Sequence, residues 1–510
     1  EPFRRAIIVM TAVFFGRLEL LEKHKDLLDM IEWESYPAPT ESFVRAAGCE
    51  LNPGVQMKDG RFVIVINGVE IYVDDILVAA PDKESMRMTL AAAIEAIFVV
   101  MGFPEPEARQ CHLAMDKWES MKPGPTQTML GLNLNTRRMV VGMTPEYRAN
   151  LHDIMRKHWH KGRKTFKIKE MLTLVGKLAR LGEGAQWVYK LMAHMYVSLA
   201  EALSGNKQLL GEVSDDYKKL LEDIRCNRFV GKPSEVAKQV NFAMKKAARM
   251  PYHANFLFPI RTRLRIEMDF FKSALEPNSG IEFETPIAHI IKRMPLAKAY
   301  GDSALQACGG YCTTLRFWWH LAFPDEVKEK TLLHLKNNDN DDLIDINCLE
   351  YVTIIINYCA ALVVLEKEPV DDPYPVLLAI TDNTSALNWT VHTAKKSRIG
   401  RALARLFCGL LMGSPLGINS EWIATDLNDV ADGISRFIKQ ENESRAHANP
   451  HYCFDYTTLQ QRYPVLRDCR FFHPSQELLS MIWDILLTRK LPDPREVREL
   501  KQSGLGRLAI

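Results

Sequence analysis

Residues 346–366, INCLEYVTIIINYCAALVVLE, limit the fold of this chain more than any other stretch. The pattern predicts one long helix that is apolar on every face, and such a helix has to be buried. Its uncharged part stops short of the ~18 residues that a membrane span requires, so it reads as a core helix, with no membrane implied. Within it, Glu350 is surrounded by Leu349, Val352, Ile354, Ile355 and Ile356. A lone carboxylate in that setting is costly unless it is paired or bound to a metal.

The flanking pattern says what the helix packs on. Strands are expected at 296–302, 309–315 and 316–321, followed by a polar, acidic loop from Lys336 to Asp345 and then the apolar helix. Next come a strand at 376–381, a short helix after Asn383, a helix near 398–413, a strand at 418–424 and a helix from Asp429 to Gln440. This βββ-α-β-α-β-α order predicts a mixed sheet flanked by helices. At 510 residues the chain exceeds one compact core and implies two to four domains.

Three more acids fall at element ends: Asp302 at the end of the first strand, Asp382 after the strand Leu377–Thr381, and Asp432 near the start of the last helix. Taken singly, each reads as a solvated cap. Together with Glu350 they suit one chemistry. Cutting a phosphodiester at neutral pH needs an activated water and a stabilised leaving alkoxide, which two divalent ions ~3.5–4 Å apart can supply. Mg²⁺ (or Mn²⁺) prefers hard oxygen ligands, hence several carboxylates from separate elements. Without a metal, such carboxylates repel one another and their pKa values rise.

The pieces Gly301-Asp302-Ser303 with Gly309-Gly310-Tyr311, Leu349-Glu350, Thr381-Asp382-Asn383-Thr384-Ser385-Ala386 and Asn428-Asp429-Val430-Ala431-Asp432-Gly433-Ile434-Ser435-Arg436 occur in that order. As a set, over about 295–440, they resemble the RNase H domain of retrotransposon polyproteins, gypsy-like and DIRS-like elements especially. The last piece is close to the family's N-x-x-A-D-x-L-S-R. The resemblance implies an RNase H-like mixed sheet with flanking helices and hydrolysis of the RNA strand of RNA:DNA hybrids. It also implies that Asp302, Glu350, Asp382 and Asp432 are the ligands of Mg²⁺ (or Mn²⁺). Where many members carry a His shortly before the last Asp, this chain has Trp422. An integrase or Holliday-junction nuclease sharing the fold suits Glu350 and Ala431-Asp432 less well.

In the first half, residues 61–80 read as β structure with a turn at Asn67-Gly68, and a helix is expected over 83–101. Tyr72-Val73-Asp74-Asp75 sits between the apolar runs Gly68–Ile71 and Ile76–Ala79. The whole resembles the metal-binding hairpin of reverse transcriptases. Phe14-Phe15-Gly16-Arg17 resembles the template-contacting motif, and Leu130-Gly131-Leu132 with Met139–Met143 the primer-contacting hairpin. The helices of 145–204 are similar to the thumb. The resemblance implies Asp74 and Asp75 as metal ligands, Tyr72 at nucleic acid, and a primer-template partner. The thirteen residues before Phe14 contain no Asp. A further Asp is needed for polymerisation, so the expectation is an N-terminally truncated polymerase, inactive alone unless the missing palm and fingers are supplied.

Net charge is +2, from 65 basic and 63 acidic residues, and does not announce a nucleic-acid partner. Local clustering does. Between residues 137 and 180 basic residues dominate, and Arg156, Lys157, Lys161, Arg163, Lys164, Lys167 and Lys177 are the candidate phosphate contacts. Trp159 and Phe166 interleave them and read as core packing. The ten cysteines make no C-x-x-C pair, and Cys308 with Cys312 has no second pair to complete a zinc site. Reduced thiols in an intracellular protein, cytoplasmic or nuclear, are expected. The run Ala6–Phe15 after Arg4 and Arg5 imitates a signal peptide, lacks a small-residue cleavage pattern, and reads as a buried segment.

The expected organisation is therefore an α+β and α/β multidomain chain. A partial polymerase palm (1–144) leads to a helical thumb-like region (145–226) and a connection (227–292). An RNase H-like domain (293–440) and a C-terminal helical extension (441–510) follow. The alternative is an inactive or co-opted nucleic-acid-binding remnant of a retroelement. Oligomeric state is not legible.

Overall fold

The computed structural model describes residues 2–31, 55–58, 61–64, 68–72, 75–80, 83–104, 113, 115, 118, 124, 126–129, 131–213, 257–291, 293–336, 343–391, 397–437 and 456–509. It is a mixed helix-and-sheet protein of two units. One comprises 1–141, 286–294 and 371–374, and the other 142–285, 295–370 and 375–510.

In the first unit, the helices Pro2–Phe14 and Lys83–Met101 share a core that includes Ile7, Ile94, Ile97 and Phe98. The signal-like run is thus a helix, but only one face is buried. Ile7 and Thr11 face the core, while Val9 is 60% and Val13 53% exposed. The β segment differs from the sequence expectation. Arg61–Ile64 pairs with Val55–Lys58, and Gly68–Tyr72 pairs with Asp75–Ala79, with Tyr72 opposite Asp75. The turn expected at Asn67-Gly68 therefore does not join the paired strands, because each has a nearer partner. Thr126–Met129 pairs with Leu132–Asn135, and the Asn135 side chain accepts from the amides of Arg137 and Arg138 to shape the turn that follows.

The second unit is organised by a seven-stranded sheet. Its strands are β1 (Ala297–Ser303), β2 (Ala307–Cys312), β3 (Phe317–Ala322), β4 (Val376–Thr381), β5 (Gly417–Trp422), β6 (Arg470–Pro474) and β7 (Gly506–Leu508), in the order β5-β4-β1-β2-β3-β6-β7. β1, β2 and β3 form an antiparallel meander, while β4 and β5 run parallel to β1 on its other side. The helices of this region are α1 (Asp325–Lys336), α2 (Ile346–Lys367), α3 (Thr384–Val391), α4 (Arg398–Leu411) and α5 (Asp429–Ser435). By length and composition alone α2 could cross a membrane, but 89% of its most apolar window is buried in this core, where Ala299, Cys308, Phe317, Leu377 and Phe407 surround it.

Residues 441–510 were expected to form a helical extension; 456–509 instead supply strands as well. β6 pairs parallel with β3 and β7 pairs antiparallel with β6, which widens the sheet. Two helices from this segment, α6 (Gln476–Thr488) and α7 (Pro494–Ser503), bury Leu478, Ile482, Ile485, Leu486, Val497 and Leu500 in the main core. Both strands are too short for alternation to reveal them. The helices Pro145–His158 and Ile168–Gly184 belong to the same unit, and in the second of them Met171, Leu174, Val175, Leu178 and Leu181 are buried. A fully buried lysine helps to join these parts. Lys190 Nζ donates to the carbonyls of Trp389 (3.1 Å) and Thr390 and lies 5.4 Å from the Phe407 ring centre.

Candidate active site

Asp302 stands next to last on the central strand β1, inside the sheet rather than at its rim. Two glycines let helices come close enough to reach it. A Cβ on Gly301 would stand 2.4 Å from Thr353 Cγ2 of α2, and one on Gly309 of β2 would stand 2.2 Å from Ile434 Cγ2 of α5. Both distances are shorter than any real contact, so only glycine fits. With α2 drawn in, Glu350 Oε1 accepts the Ser303 amide at 3.1 Å. Asn357, two turns further along α2, donates to the Tyr300 carbonyl (3.1 Å) and accepts from Trp319 Nε1 (2.8 Å), which locks the helix against β1 and β3.

Asp382 follows the last residue of β4, which runs parallel to β1. Its Oδ2 accepts from Thr425 Oγ1 at 2.8 Å, and its backbone carbonyl accepts from Trp422 Nε1 at 2.9 Å. The next residue, Asn383, caps α3 through the Ala386 amide and donates to Asn347 Oδ1 at the start of α2 (2.8 Å). The carriers of Asp382 and Glu350 are therefore tied together by neutral amides. On the other side, Asn428 donates to the Gly301 carbonyl (3.1 Å) and the Ser435 hydroxyl donates to Asp302 Oδ2, fixing α5 to β1.

The structure brings Asp302, Glu350 and Asp382 together: one carboxylate oxygen from each lies within 4.8 Å of the others. Asp432, expected as a fourth member, does not join that group. Its Oδ1 is held at 2.6 Å by Arg436 Nη2, one turn along α5. Burial pushes the Asp302 carboxyl up to about 6; the Ser435 hydrogen bond opposes this, and Asp382 and Asp432 add to it. Burial, then Asp302 and Asp382, push Glu350 well above the usual carboxylate range. Burial also raises Asp432, against the pull of Arg436. Glu350 Oε2 is buried and accepts no hydrogen bond. A buried orphan carboxylate oxygen facing two more acids, with hard donors only, fits Mg²⁺ or Mn²⁺.

The other sequence candidates fare differently. Asp74 lies outside the described residues; Tyr72 and Asp75 lie in paired strands, with only their backbone described. Lys161 and Lys164 are exposed, while Arg156 and Lys157 are exposed but paired with Asp153 at 3.6 and 2.6 Å. Arg163 is a staple rather than an open cation. It pairs with Glu170, donates to the carbonyls of Thr165 (2.7 Å) and His158 (2.8 Å), and covers the buried Trp159 ring at 4.5 Å. Lys167 and Lys177 are half-buried. Sequence reasoning missed Thr425, which approaches Asp382 from 43 residues away and carries no local signal. It also missed Ser435, which sits inside the matched motif.

No protein-family model matches the chain, and no curated protein does. Two solved structures are similar to it. The foamy viral protease-reverse transcriptase dRH in complex with double-stranded DNA is 10% identical, with a TM-score of 0.24 over 69% of this chain and 46% of that one. The foamy viral protease-reverse transcriptase in complex with an RNA/DNA hybrid is 12% identical, with a TM-score of 0.24 over 71% of this chain and 36% of that one. The chain thus spans less than half of either.

Proposed function

We propose that the second unit is an RNase H-type nuclease that hydrolyses the RNA strand of RNA:DNA hybrids, within a retroelement reverse transcriptase. The observation that carries this reading is the orphan Oε2 of Glu350, buried beside Asp302 and Asp382 on three separate elements. The meander, the parallel β4 and β5, and the helices between them agree with what the sequence resemblance implies.

Asp302, Glu350 and Asp382 would hold Mg²⁺ or Mn²⁺, with Asp432 at the edge. When bound, the ions supply Lewis acidity for the attacking water and for the departing oxygen. The chain's own residues do the positioning. Ser435 and the Ser303 amide orient Asp302 and Glu350, and Thr425 aims Asp382. In the reaction the water oxygen bonds to phosphorus, the opposite P–O bond breaks, and the departing oxygen takes up a proton. An A-form-like hybrid is recognised through its backbone and 2′-hydroxyls, and exposed cations such as Lys161 and Lys164 suit phosphate contacts. RNA-directed DNA synthesis through Asp74 and Asp75 is proposed only where further palm and fingers are supplied.

The test is cleavage of an end-labelled RNA:DNA hybrid, with single-stranded RNA and duplex DNA as controls, in Mg²⁺ and in EDTA. Metal-dependent cutting of the RNA strand, abolished by Asp382→Asn, is expected. No cutting, or cutting that persists in Asp382→Asn, overturns the proposal. The Arg436–Asp432 ion pair favours a second reading, a protein that grips nucleic acid without chemistry. That reading predicts salt-sensitive hybrid binding with no product.

A further inference from the structure

α5 carries Asp432 and the Ser435 hydroxyl that donates to Asp302, yet it has only seven residues. A helix needs roughly 12–15 residues to hold its shape in water, so one this short takes its position from what packs on it. From the sheet that is β2, where Ile434 fills the space a side chain at Gly309 would need. The second support is the segment 456–474, which the reading above leaves without a role. A Cβ on Gly433 would stand 2.1 Å from Tyr463 Oη and 2.5 Å from its Cε2, so the phenol ring bears directly on the backbone of α5. The segment that carries this ring is a closed clasp. At its start Tyr456 stacks on Phe471 of β6, with ring centres 4.9 Å apart, and both rings stand edge-on to Trp318 of β3 at 5.0 and 4.8 Å. The Tyr456 hydroxyl lies 3.2 Å from His320 Nδ1, and β6 pairs with β3, so both ends are fastened to one strand. Between them Leu459, Tyr463 and Leu466 are buried with Ile434 and Phe437. The Tyr463 hydroxyl is buried with no hydrogen-bond partner among the described residues, so the ring's contact is what Tyr463 supplies.

We propose that Tyr463 is a positioning residue of the acidic site: from a clasp anchored on β3 it presses on Gly433 and holds α5 where the Ser435 hydroxyl meets Asp302. The inference rests on the nuclease reading and makes 456–474 a working part of the nuclease rather than a separate appendage. Tyr463 acts through Ser435. Hydrogen bonds weaken steeply with misalignment, and the outer partner of a metal-binding group commands roughly 10–100-fold in metal affinity. A small displacement of α5 is therefore felt at Asp302 before it is felt by the fold.

The experiment uses the full chain, with Mg²⁺ affinity read by calorimetric titration and kcat and KM measured on an end-labelled RNA:DNA hybrid. Tyr463→Phe keeps the ring and is expected to behave as the wild type. Tyr463→Leu keeps an apolar filling but loses the reach. It is expected to weaken Mg²⁺ binding by roughly tenfold and to lower kcat by a similar factor, with KM for the hybrid unchanged. In a Ser435→Ala chain the same Tyr463→Leu change is expected to alter neither quantity further. Gly433→Ala, which pushes on the same contact from the other side, is expected to weaken Mg²⁺ binding by itself. Tyr463→Leu added to it should restore part of that loss, whereas two independent defects would add. A Tyr463→Leu protein that binds Mg²⁺ and turns over like the wild type overturns the proposal, and so does one whose loss is as large in the Ser435→Ala chain. Should Tyr463→Leu fail to fold, Gly433→Ala decides alone, and undiminished Mg²⁺ binding there overturns the proposal. In each of these cases the wild type still binds Mg²⁺ and cuts, and the nuclease reading stands. If the wild type does neither, the nuclease reading falls and takes this inference with it.

Discussion

Replacing Asp302 with Asn stabilises the metal-free protein above neutral pH, although it removes a residue proposed to be essential for activity. Burial and two neighbouring acids raise the Asp302 carboxyl from 3.8 to about 6. At about 1.4 kcal/mol per pKa unit this corresponds to about 3 kcal/mol. The sign follows from proton binding: between those two values the folded protein holds a proton that the unfolded chain has released. The contribution of Asp302 is present in full below about 3.8 and is lost as pH rises through about 6, with roughly half gone by pH 5. Asn has nothing to titrate and still accepts from Ser435. In EDTA the variant should match the wild type at pH 4 and exceed it by up to about 3 kcal/mol at pH 8. Saturating Mg²⁺ should reverse the order, because the ion stabilises only a protein that binds it. Urea unfolding followed by circular dichroism at the two pH values, with and without Mg²⁺, measures both effects. An Asp302→Asn protein less stable than wild type at pH 8 in EDTA refutes the idea that the three acids oppose one another in the folded state.

Other perturbations separate the parts of the site. Thr425→Val removes the donor to Asp382 Oδ2 and should weaken Mg²⁺ binding by roughly tenfold or more, read by calorimetric titration, without changing the fold. Gly309→Ala places a methyl 2.2 Å from Ile434 Cγ2 and should cost about 1–3 kcal/mol in urea unfolding, with Ile434→Ala in the same chain recovering part of it. Lys190 is fully buried and its ammonium is pushed from 10.5 down to about 8. Its contribution is present above the unfolded value and lost as pH falls through about 8, so stability should rise between pH 8 and 10, a rise that Lys190→Met should flatten.

Much of the site was legible because it rests on local pattern. The strand Val376–Thr381 and the helix beginning at Ile346 stand where the apolar runs place them, and with them Asp382 and Glu350. Placement failed where side-chain pattern is silent. β2 was expected at 309–315 and lies at Ala307–Cys312, since Gly309 and Gly310 offer no side chains to mark a strand. The turn that follows puts Arg316, not a glycine or asparagine, at φ 51°. The Asn67-Gly68 signal misled because turn chemistry does not say which strands pair across it. Arg163 looked like one cation among many until folding gave it Glu170 and two carbonyls. The Arg436–Asp432 pair was readable in principle, because i and i+4 on a helix are neighbours.

The way the acids are supported argues for their use. A carboxylate that merely needed stabilising would recruit a cation, as Asp432 does with Arg436 and Glu170 with Arg163. Asp302, Glu350 and Asp382 are held instead by a hydroxyl, a backbone amide and a threonine, groups that fix direction without cancelling charge. Asn347, Asn357, Asn383 and Asn428 fasten the helices and turns that carry them, again with neutral amides. The result is a rigid cluster of acids in a low-dielectric setting, short of compensation, in which the carboxyls of Asp302 and Glu350 are pushed up by burial and by their acidic neighbours. A metal-free fold gains nothing from that arrangement. It makes physical sense as one half of an ion pair whose other half is a divalent cation, with the cost of assembling the acids met when the cation binds.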